Sequence, residues 1–436
     1  MTDTPPPADL QAADGSQHYL RALTDMADRR AVVTDAAIYT ASGIKLVEKG
    51  ARIDSRLYER LVQHKLREPI DQHLSVENPV NAPALVAASQ ALVAQYPLPS
   101  LLAEALGASA GRLLAPLRSL PLPAPMACKL TVMREQWPDL FQHSLQMMLV
   151  SVFLGIKSDW SERDCTPLAA AALLHDVGML HMGSAWNDPD HKITGAPRNH
   201  LTAHPITAML MVRDAQTYPK AVEVAVLEHH ERMDGSGYPR GITGASITPM
   251  GRILLLAEVI TAFFDKYDDM PAQRLSLMLR LSHRKFPSSL VAHILPLLQE
   301  EVARESALMP LGNDASRQIE LLADAFARWG QIKTSVPDLA RMAPDSAFAF
   351  TDARLLALEK ALAEAGSHPQ QHGELLAQLQ GDAVGLAEVS MVGGEGLWQL
   401  KTILNACHRR WPQLNARATP ADAAVADWCD WVAERL

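Results

Sequence analysis

The chain has 436 residues, of which 48% are hydrophobic and 20% charged, and its formal net charge is -9. That length is too great for one ordinary core, so roughly two or three folded domains are expected, and the composition excludes a disordered chain. The acidic balance argues against a surface that coats nucleic acid, although a local basic pocket for a small phosphate ligand stays compatible with it.

Residues 1–17 are rich in Pro, Asp and Ala and read as a disordered tail. The N-terminus has neither a basic nor an apolar leader segment. Next come Ala37 to Thr40 and Ile44 to Val47, two strand-like runs split by a Ser42-Gly43 turn, which predict a hairpin. Leu57, Leu61 and Val62 then follow at helical spacing, with Asp54 or Ser55 as the cap. Residues 18–80 are therefore expected to form a small α+β module.

Strand signals almost vanish beyond Pro79. Residues 81–125 read as a helical linker region broken by Pro116, Pro121, Pro123 and Pro125. Residues 126–300 read as helix after helix, interrupted by a polar stretch from Gly183 to Arg198 that suggests a lid or loop. Residues 301–436 form a further helical extension with helices at Ile319 to Trp329, Ala353 to Ala365, Gly373 to Leu379 and Ala421 to Leu436, broken up by Gly393-Gly394 and several prolines. Trp411, Trp428 and Trp431 read as core residues. The extension shows no chemical motif, and its role is open.

The four cysteines, Cys128, Cys165, Cys407 and Cys429, are scattered without a CxxC and read as buried thiols in a reducing compartment. The nearest candidate for a membrane span, Leu145 to Ile156, is shorter than the ~20 apolar residues required. The expectation is a soluble, cytoplasmic protein with no membrane span and no nucleic-acid polymer as partner.

Chemistry concentrates in one part of the chain. Of 16 histidines, eight fall between 143 and 230: His143, His175, His181, His191, His200, His204, His229 and His230. Core packing alone does not predict that enrichment. His175-Asp176 closes the apolar run Ala169 to Leu174, and His229-His230 closes another helical stretch. Successive helical side chains diverge by about 100°, but at a helix end both members of a pair can straddle an ion. A carboxylate there can bridge two ions, and a bridged pair can activate water and clamp phosphoryl oxygens. His143, His175, Asp176, His204, His229, His230 and Glu258 are thus the candidate metal ligands, with His175 and Asp176 the catalytic pair. The turn Asp234-Gly235-Ser236-Gly237-Tyr238-Pro239 walls a substrate pocket or meets a partner.

These pieces resemble an HD-GYP domain, the branch of the HD phosphohydrolases that hydrolyses the bacterial messenger cyclic di-GMP. The resemblance covers residues 126 to about 296. It rests on Phe141-Gln-His143-Ser144, Leu174-His175-Asp176-Val177-Gly178, Ala203-His204-Pro205, His229-His230-Glu231, the Asp234 to Pro239 turn, and Gly251-Arg252-Ile253-Leu254. It implies an all-helical core, two or three iron or manganese ions on the seven ligands above, and a pGpG or GMP product. Asp234, Gly235, Gly237, Tyr238 and Lys266 are the candidate substrate contacts, the first three being otherwise merely a turn, and the Gly-Tyr-Pro loop is a candidate docking face for a GGDEF-domain partner.

The sequence departs from the family at several points. Met179 replaces a lysine near the scissile phosphate, and a thioether cannot act as a point charge. Glu258 replaces an aspartate. Thr261, Phe263 and Phe264 stand where phosphate-gripping residues are usual, with Lys266 the nearby base. Lys192 or Arg198 are candidates to supply the missing charge. Asp139, four residues before His143, is either an additional ligand, as in three-metal members, or a charge at the helix N-terminus. The leading expectation is a cyclic di-GMP phosphodiesterase. The alternatives are a catalytically weak cyclic di-GMP sensor and a scaffold for a GGDEF partner.

Overall fold

The computed structural model describes residues 8–182, 196–267, 270–306, 315–336, 346–364, 377 and 383–436. The protein is mainly α, with an all-helical central region, a small N-terminal α+β module and a helical C-terminal region. Two compact units are resolved: Met1–Asp268 with Arg284–Leu297, and Asp269–His283 with Leu298–Leu436.

In the first unit, α1 (Ala8–Ala27) begins inside the stretch expected to be an irregular tail. Its C-terminal half buries Leu20, Leu23, Met26 and Ala27. The expected hairpin is present as β2 (Ile38–Tyr39) and β3 (Lys45–Val47), with Ile38 opposite Val47. A second pair, β1 (Val32–Thr34) with β4 (Leu74–Val76), is antiparallel with Thr34 opposite Leu74. The sequence reading missed it because each strand has only three residues and the partners lie about forty positions apart, a pairing that only tertiary closure can supply. Asp54 caps the next turn as expected, accepting from the Arg56 and Leu57 amides at 3.1 and 3.3 Å. It opens a 3-10 turn (Ser55–Leu57) and the short α2 (Tyr58–Val62).

The helices α3 (Ala82–Gln95), α4 (Pro97–Leu106) and α5 (Ala115–Arg118) lead into α6 (Ala124–Gln136) and α7 (Pro138–Lys157). The proline at the start of each agrees with its fixed φ and its missing amide, which helix starts do not need. The helix α7 is central, packing against α8 (Glu162–Leu174) and α11 (Pro249–Lys266). Its apolar run is longer than Leu145 to Ile156, and the full 20 residues reach membrane-spanning length and composition. However, 83% of the apolar window is buried inside the protein, which is what a core helix requires. The helices α9 (Ala196–Asp214) and α10 (Lys220–Glu228) pack against each other, and α10 packs on α11. The expected lid, up to residue 195, lies outside the described residues, and 196–198 open α9.

The second unit has α12 (Pro271–Leu281), part of α13 (Ser288–Ser306), α14 (Ala315–Ser335), α15 (Ala347–Glu364), α16 (Ala383–Arg410) and α17 (Pro420–Ala433). Gly393 and Gly394 do not break the chain; they lie within α16. A Cβ at Gly393 would sit 3.0 Å from the Gln318 Cβ, and one at Gly396 would sit 2.7 Å from the Leu322 Cδ1. These glycines therefore serve the close approach of α16 to α14 rather than a turn. Trp428 is fully buried, while Trp411 and Trp431 pack partly buried against the same core, in line with the core reading. The expected helix at Gly373 to Leu379 falls outside the described residues except for position 377.

Candidate metal centre

Two helix ends and three helix faces build the site. His143 lies in the second turn of α7, and Glu258 lies midway along α11, which packs beside it. The helix α8 is capped by Ser161, which accepts from the Asp164 amide at 3.2 Å, and its apolar face from Leu168 to Leu174 is wholly buried. It ends at His175, and Asp176 turns the chain into a 3-10 segment (Val177–His181). A Cβ at Gly178 would collide with the backbone of His204 and Ala208 on α9. Only glycine lets the His-Asp turn lie flat against the helix that carries His204. His229 and His230 close α10.

Three imidazoles are held in the same manner. The Nδ1 of His175, His204 and His229 donates to the carbonyl three residues earlier, of Ala172, Leu201 and Val226, at 2.7, 2.5 and 2.6 Å. With Nδ1 used as the donor, each neutral ring presents a bare Nε2 lone pair to the interior. These lone pairs converge. His204 Nε2 lies 3.1 Å from His229 Nε2 and 3.0 Å from Asp176 Oδ1, and His229 Nε2 lies 3.6 Å from the same oxygen.

Seven of the predicted ligands meet in two groups. Asp176, His204, His229 and His230 have donor atoms within 4.8 Å of one another, as do His143, His175 and Glu258. Asp176 joins the groups, since its Oδ2 is 3.3 Å from His175 Nε2 while its Oδ1 faces His204 and His229. Glu258 Oε2 sits 3.1 Å from His143 Nε2 and 3.5 Å from His175 Nε2. The Nε2 of His175 and the Oδ1 of Asp176 are buried and make no hydrogen bond. Buried orphans of this kind are costly, and a divalent cation in each group would satisfy them together. The donor set therefore fits a pair of metal ions bridged by Asp176.

The electrostatics agree. Burial raises the Asp176 carboxyl, but His175 and His204 outweigh it and hold the group well below the usual carboxylate range. Glu258 is likewise held well below its range, with His143 overcoming burial. Burial works against protonation of His175, yet Asp176 and Glu258 push its pKa up to about 9. His143 is raised by Glu258 and Asp265. Burial lowers His229 and His230.

The remaining predicted residues belong to neither donor group. Asp139 is exposed in the first turn of α7 and belongs to neither donor group. Tyr238 stacks on His230, with ring centroids 4.6 Å apart and planes 26° apart, so it buttresses a ligand. Asp234 Oδ1 accepts from the Ser236 amide and hydroxyl at 3.0 and 2.6 Å, and Gly235 takes a φ of 76° that glycine adopts without strain. A Cβ at Gly237 would strike the backbone of Glu231 and Arg232. Lys266 is exposed, its Nζ 5.0 Å from the Tyr267 ring centre. Met179 is 5% exposed and fills a buried position. His191 and Lys192 lie outside the described residues, as do the side chains of Arg198 and His200.

Residues 132–281 match the HD domain family. The chain is also similar to several curated proteins. It is 31% identical over 120 residues to the 3′3′-cGAMP-specific phosphodiesterase 3 of Vibrio cholerae, covering 28% of this chain and 26% of that one. It is 32% identical over 115 residues to the cyclic di-GMP phosphodiesterase response regulator RpfG of Xanthomonas campestris, covering 26% and 29%. It is 25% identical over 120 residues to the cyclic di-GMP phosphodiesterase PdeB of Borreliella burgdorferi, covering 28% and 31%. Residues 132–281 are thus an HD domain. The chain thus spans less than a third of the length of these relatives.

Several residues that organise this HD domain carry no motif in the sequence. Asp265 Oδ2 lies 2.7 Å from His143 Nδ1, and its other oxygen accepts from Gln146 Nε2 at 2.9 Å. It orients His143 toward Glu258. Its i+7 spacing from Glu258 places both on one face of α11, a signal available in the sequence. Buried Glu228 accepts from Arg240 Nη2 at 2.6 Å and from the Thr248 amide and hydroxyl at 2.9 and 2.6 Å. Buried Glu231 accepts from the Arg240 and Ile242 amides at 2.9 and 3.2 Å. These two carboxylates fasten the Gly-Tyr-Pro loop beneath the histidines. Arg232 donates to the Glu231 carbonyl at 2.8 Å; burial lowers its pKa, against the opposing pull of Glu258 and Asp234.

Proposed function

We propose that the chain is a metal-dependent phosphodiesterase that hydrolyses cyclic di-GMP to pGpG or GMP. The observation that carries the reading is the pair of donor groups joined through Asp176, because two bridged cations suit in-line attack on a phosphodiester. The names of the relatives support phosphodiester chemistry and leave two cyclic dinucleotides, cyclic di-GMP and 3′3′-cGAMP, as substrates. Iron or manganese is the proposed metal.

When bound, the ions would activate water and neutralise charge on the phosphoryl oxygens. The chain does the rest. The carbonyls of Ala172, Leu201 and Val226 hold three imidazoles in the tautomer that points Nε2 inward. Asp176 spans the two positions, and Asp265 fixes His143. Tyr238 supports His230, and Arg232 offers positive charge for a substrate phosphate.

A second reading, a cyclic di-GMP sensor with little turnover, is favoured by one observation. Met179 is apolar and buried at the position where the family resemblance implies a lysine. Docking of a GGDEF protein draws no comparable support, since the Gly-Tyr-Pro loop is held inward by Glu228 and Glu231.

The deciding experiment incubates anaerobically purified protein with Fe(II) or Mn(II) and either cyclic di-GMP or 3′3′-cGAMP, with products separated by chromatography. Linear dinucleotide or mononucleotide from cyclic di-GMP, absent with Asp176→Ala, supports the enzyme. Tight binding of intact cyclic di-GMP without product leaves the sensor.

A further inference from the structure

The first unit contains a second cavity of about 730 Å³, within the range of small-molecule sites. Its wall comes from Tyr19 and Leu20 of α1, the segment from Leu61 to Gln72, α6, His181, and the last turn of α9. It is lined by none of the seven metal-ligand candidates.

We propose that this cavity is an effector site for a small aromatic anion, a flat apolar body bearing a carboxylate, sulfonate or phosphate. Three features argue for that chemistry. Val62, Leu66 and Met126 contribute apolar surface, which an organic ring can cover. The Tyr19 and His181 rings stack at 5.2 Å with planes 15° apart, so an aromatic pair already forms part of the wall.

The third feature is charge. Glu68 is bonded to His73 at 2.6 Å, Asp71 to buried Lys129, and Asp214 lies 3.8 Å from Arg213. Asp71 and Asp214 thus each have a cationic neighbour, and Glu68 has an imidazole. Lys65 and Arg67 are exposed, line the same cavity, and form no ion pair among the described residues. Their charges stand at the rim, where long cationic side chains can reach an anion while their stems cover apolar surface.

The placement couples this cavity to the metal centre. His181 ends the 3-10 turn that begins immediately after Asp176. Met211 and Asp214 belong to α9, which carries His204. The helix α1 packs directly on that turn. An occupant touches two of the three elements that supply candidate ligands to the Asp176 group, so any preference it has for one arrangement of them biases the centre. The site stands on its own geometry, whatever reaction the metal centre performs.

The test uses the full chain and the dye 8-anilinonaphthalene-1-sulfonate, an aromatic ring system with one anionic group. Fluorescence titration is expected to show one saturable site. The double variant Lys65→Glu, Arg67→Glu reverses exposed charges, and Val62→Trp fills the cavity from a half-buried position. Each should weaken binding at least tenfold with an unchanged circular dichroism spectrum. Hydrogen exchange on the wild-type chain should slow on dye binding at residues 61–72 and 177–182. Absence of saturable binding, wild-type affinity in both variants, or protection confined to other segments would each overturn the proposal.

Discussion

His204 and His229 face each other across 3.1 Å, Nε2 to Nε2, and each ring has already given its Nδ1 proton to its own helix. Two neutral imidazoles in that arrangement oppose lone pairs, so a cation must lie between or beside them, either a proton or a metal ion. Asp176 Oδ1, 3.0 Å from His204, makes a divalent ion the better occupant, because it adds an anionic donor to the same locus.

Asp176 serves both donor groups, so its loss should empty both. Asp176→Asn keeps the size but removes the charge that bridges them. Metal analysis of the anaerobically loaded variant should show a fall in total content, and phosphodiesterase activity should drop to background. Full metal stoichiometry in Asp176→Asn would refute the bridging role.

Asp265 acts on the metal through His143. Asp265→Asn should weaken metal affinity by about 10–100-fold, the usual cost of removing such a partner. Competition with a chromophoric chelator measures this directly. Gln146→Ala should have a smaller effect in the same direction, because it holds Asp265 and does not touch the imidazole. Equal affinities in all three proteins would show that His143 needs no orienting.

The metal-free chain should be sensitive to pH on both sides. His143 and His175 have raised folded-state values, the latter about 9, against an unfolded value of roughly 6.5. Their contribution is complete below the unfolded value and is lost as pH rises through the folded one. Asp176 and Glu258 are depressed, so theirs is present above roughly pH 4 and is lost as pH falls. Chelator-treated protein should therefore melt at a lower temperature at pH 9 than at pH 6. Since histidines must be neutral to ligate, metal uptake at pH 7 should release protons, which an indicator dye in weak buffer detects. A flat melting temperature between pH 6 and 9, with no proton release, would contradict this.

Arg240 is exposed along its length yet ends on buried Glu228. Arg240→Ala leaves that carboxylate with only its two Thr248 bonds, at a cost of roughly 1–3 kcal/mol. Denaturant unfolding reads the loss. Because the same loop carries Tyr238 against His230, hydrogen exchange across residues 231–242 should quicken together with it. Unchanged stability would mean that water replaces the guanidinium without penalty.

Much of the candidate site was legible without coordinates. A histidine pair or His-Asp pair at a helix end is a local pattern, and the seven candidate ligands stand out through residue type and order. The hairpin, the Asp54 cap and the helical character of the rest were equally local, because turn residues, caps and hydrophobic periodicity act over a few positions. Gly393-Gly394 show where such reasoning stops. The glycines expected to break a helix let α16 approach α14.

What the amino-acid sequence determined by itself was the inventory of donors and the helices that carry them. Only the tertiary structure decided which donors share an ion position, that Asp176 joins the two groups, and that Asp265, Glu228 and Arg240 hold them in place. It alone also brought α1 and the segment after α2 against the His-Asp turn to enclose a second cavity. The reason is physical: residue type and period are properties of neighbours along the chain, whereas convergence depends on how distant apolar faces pack.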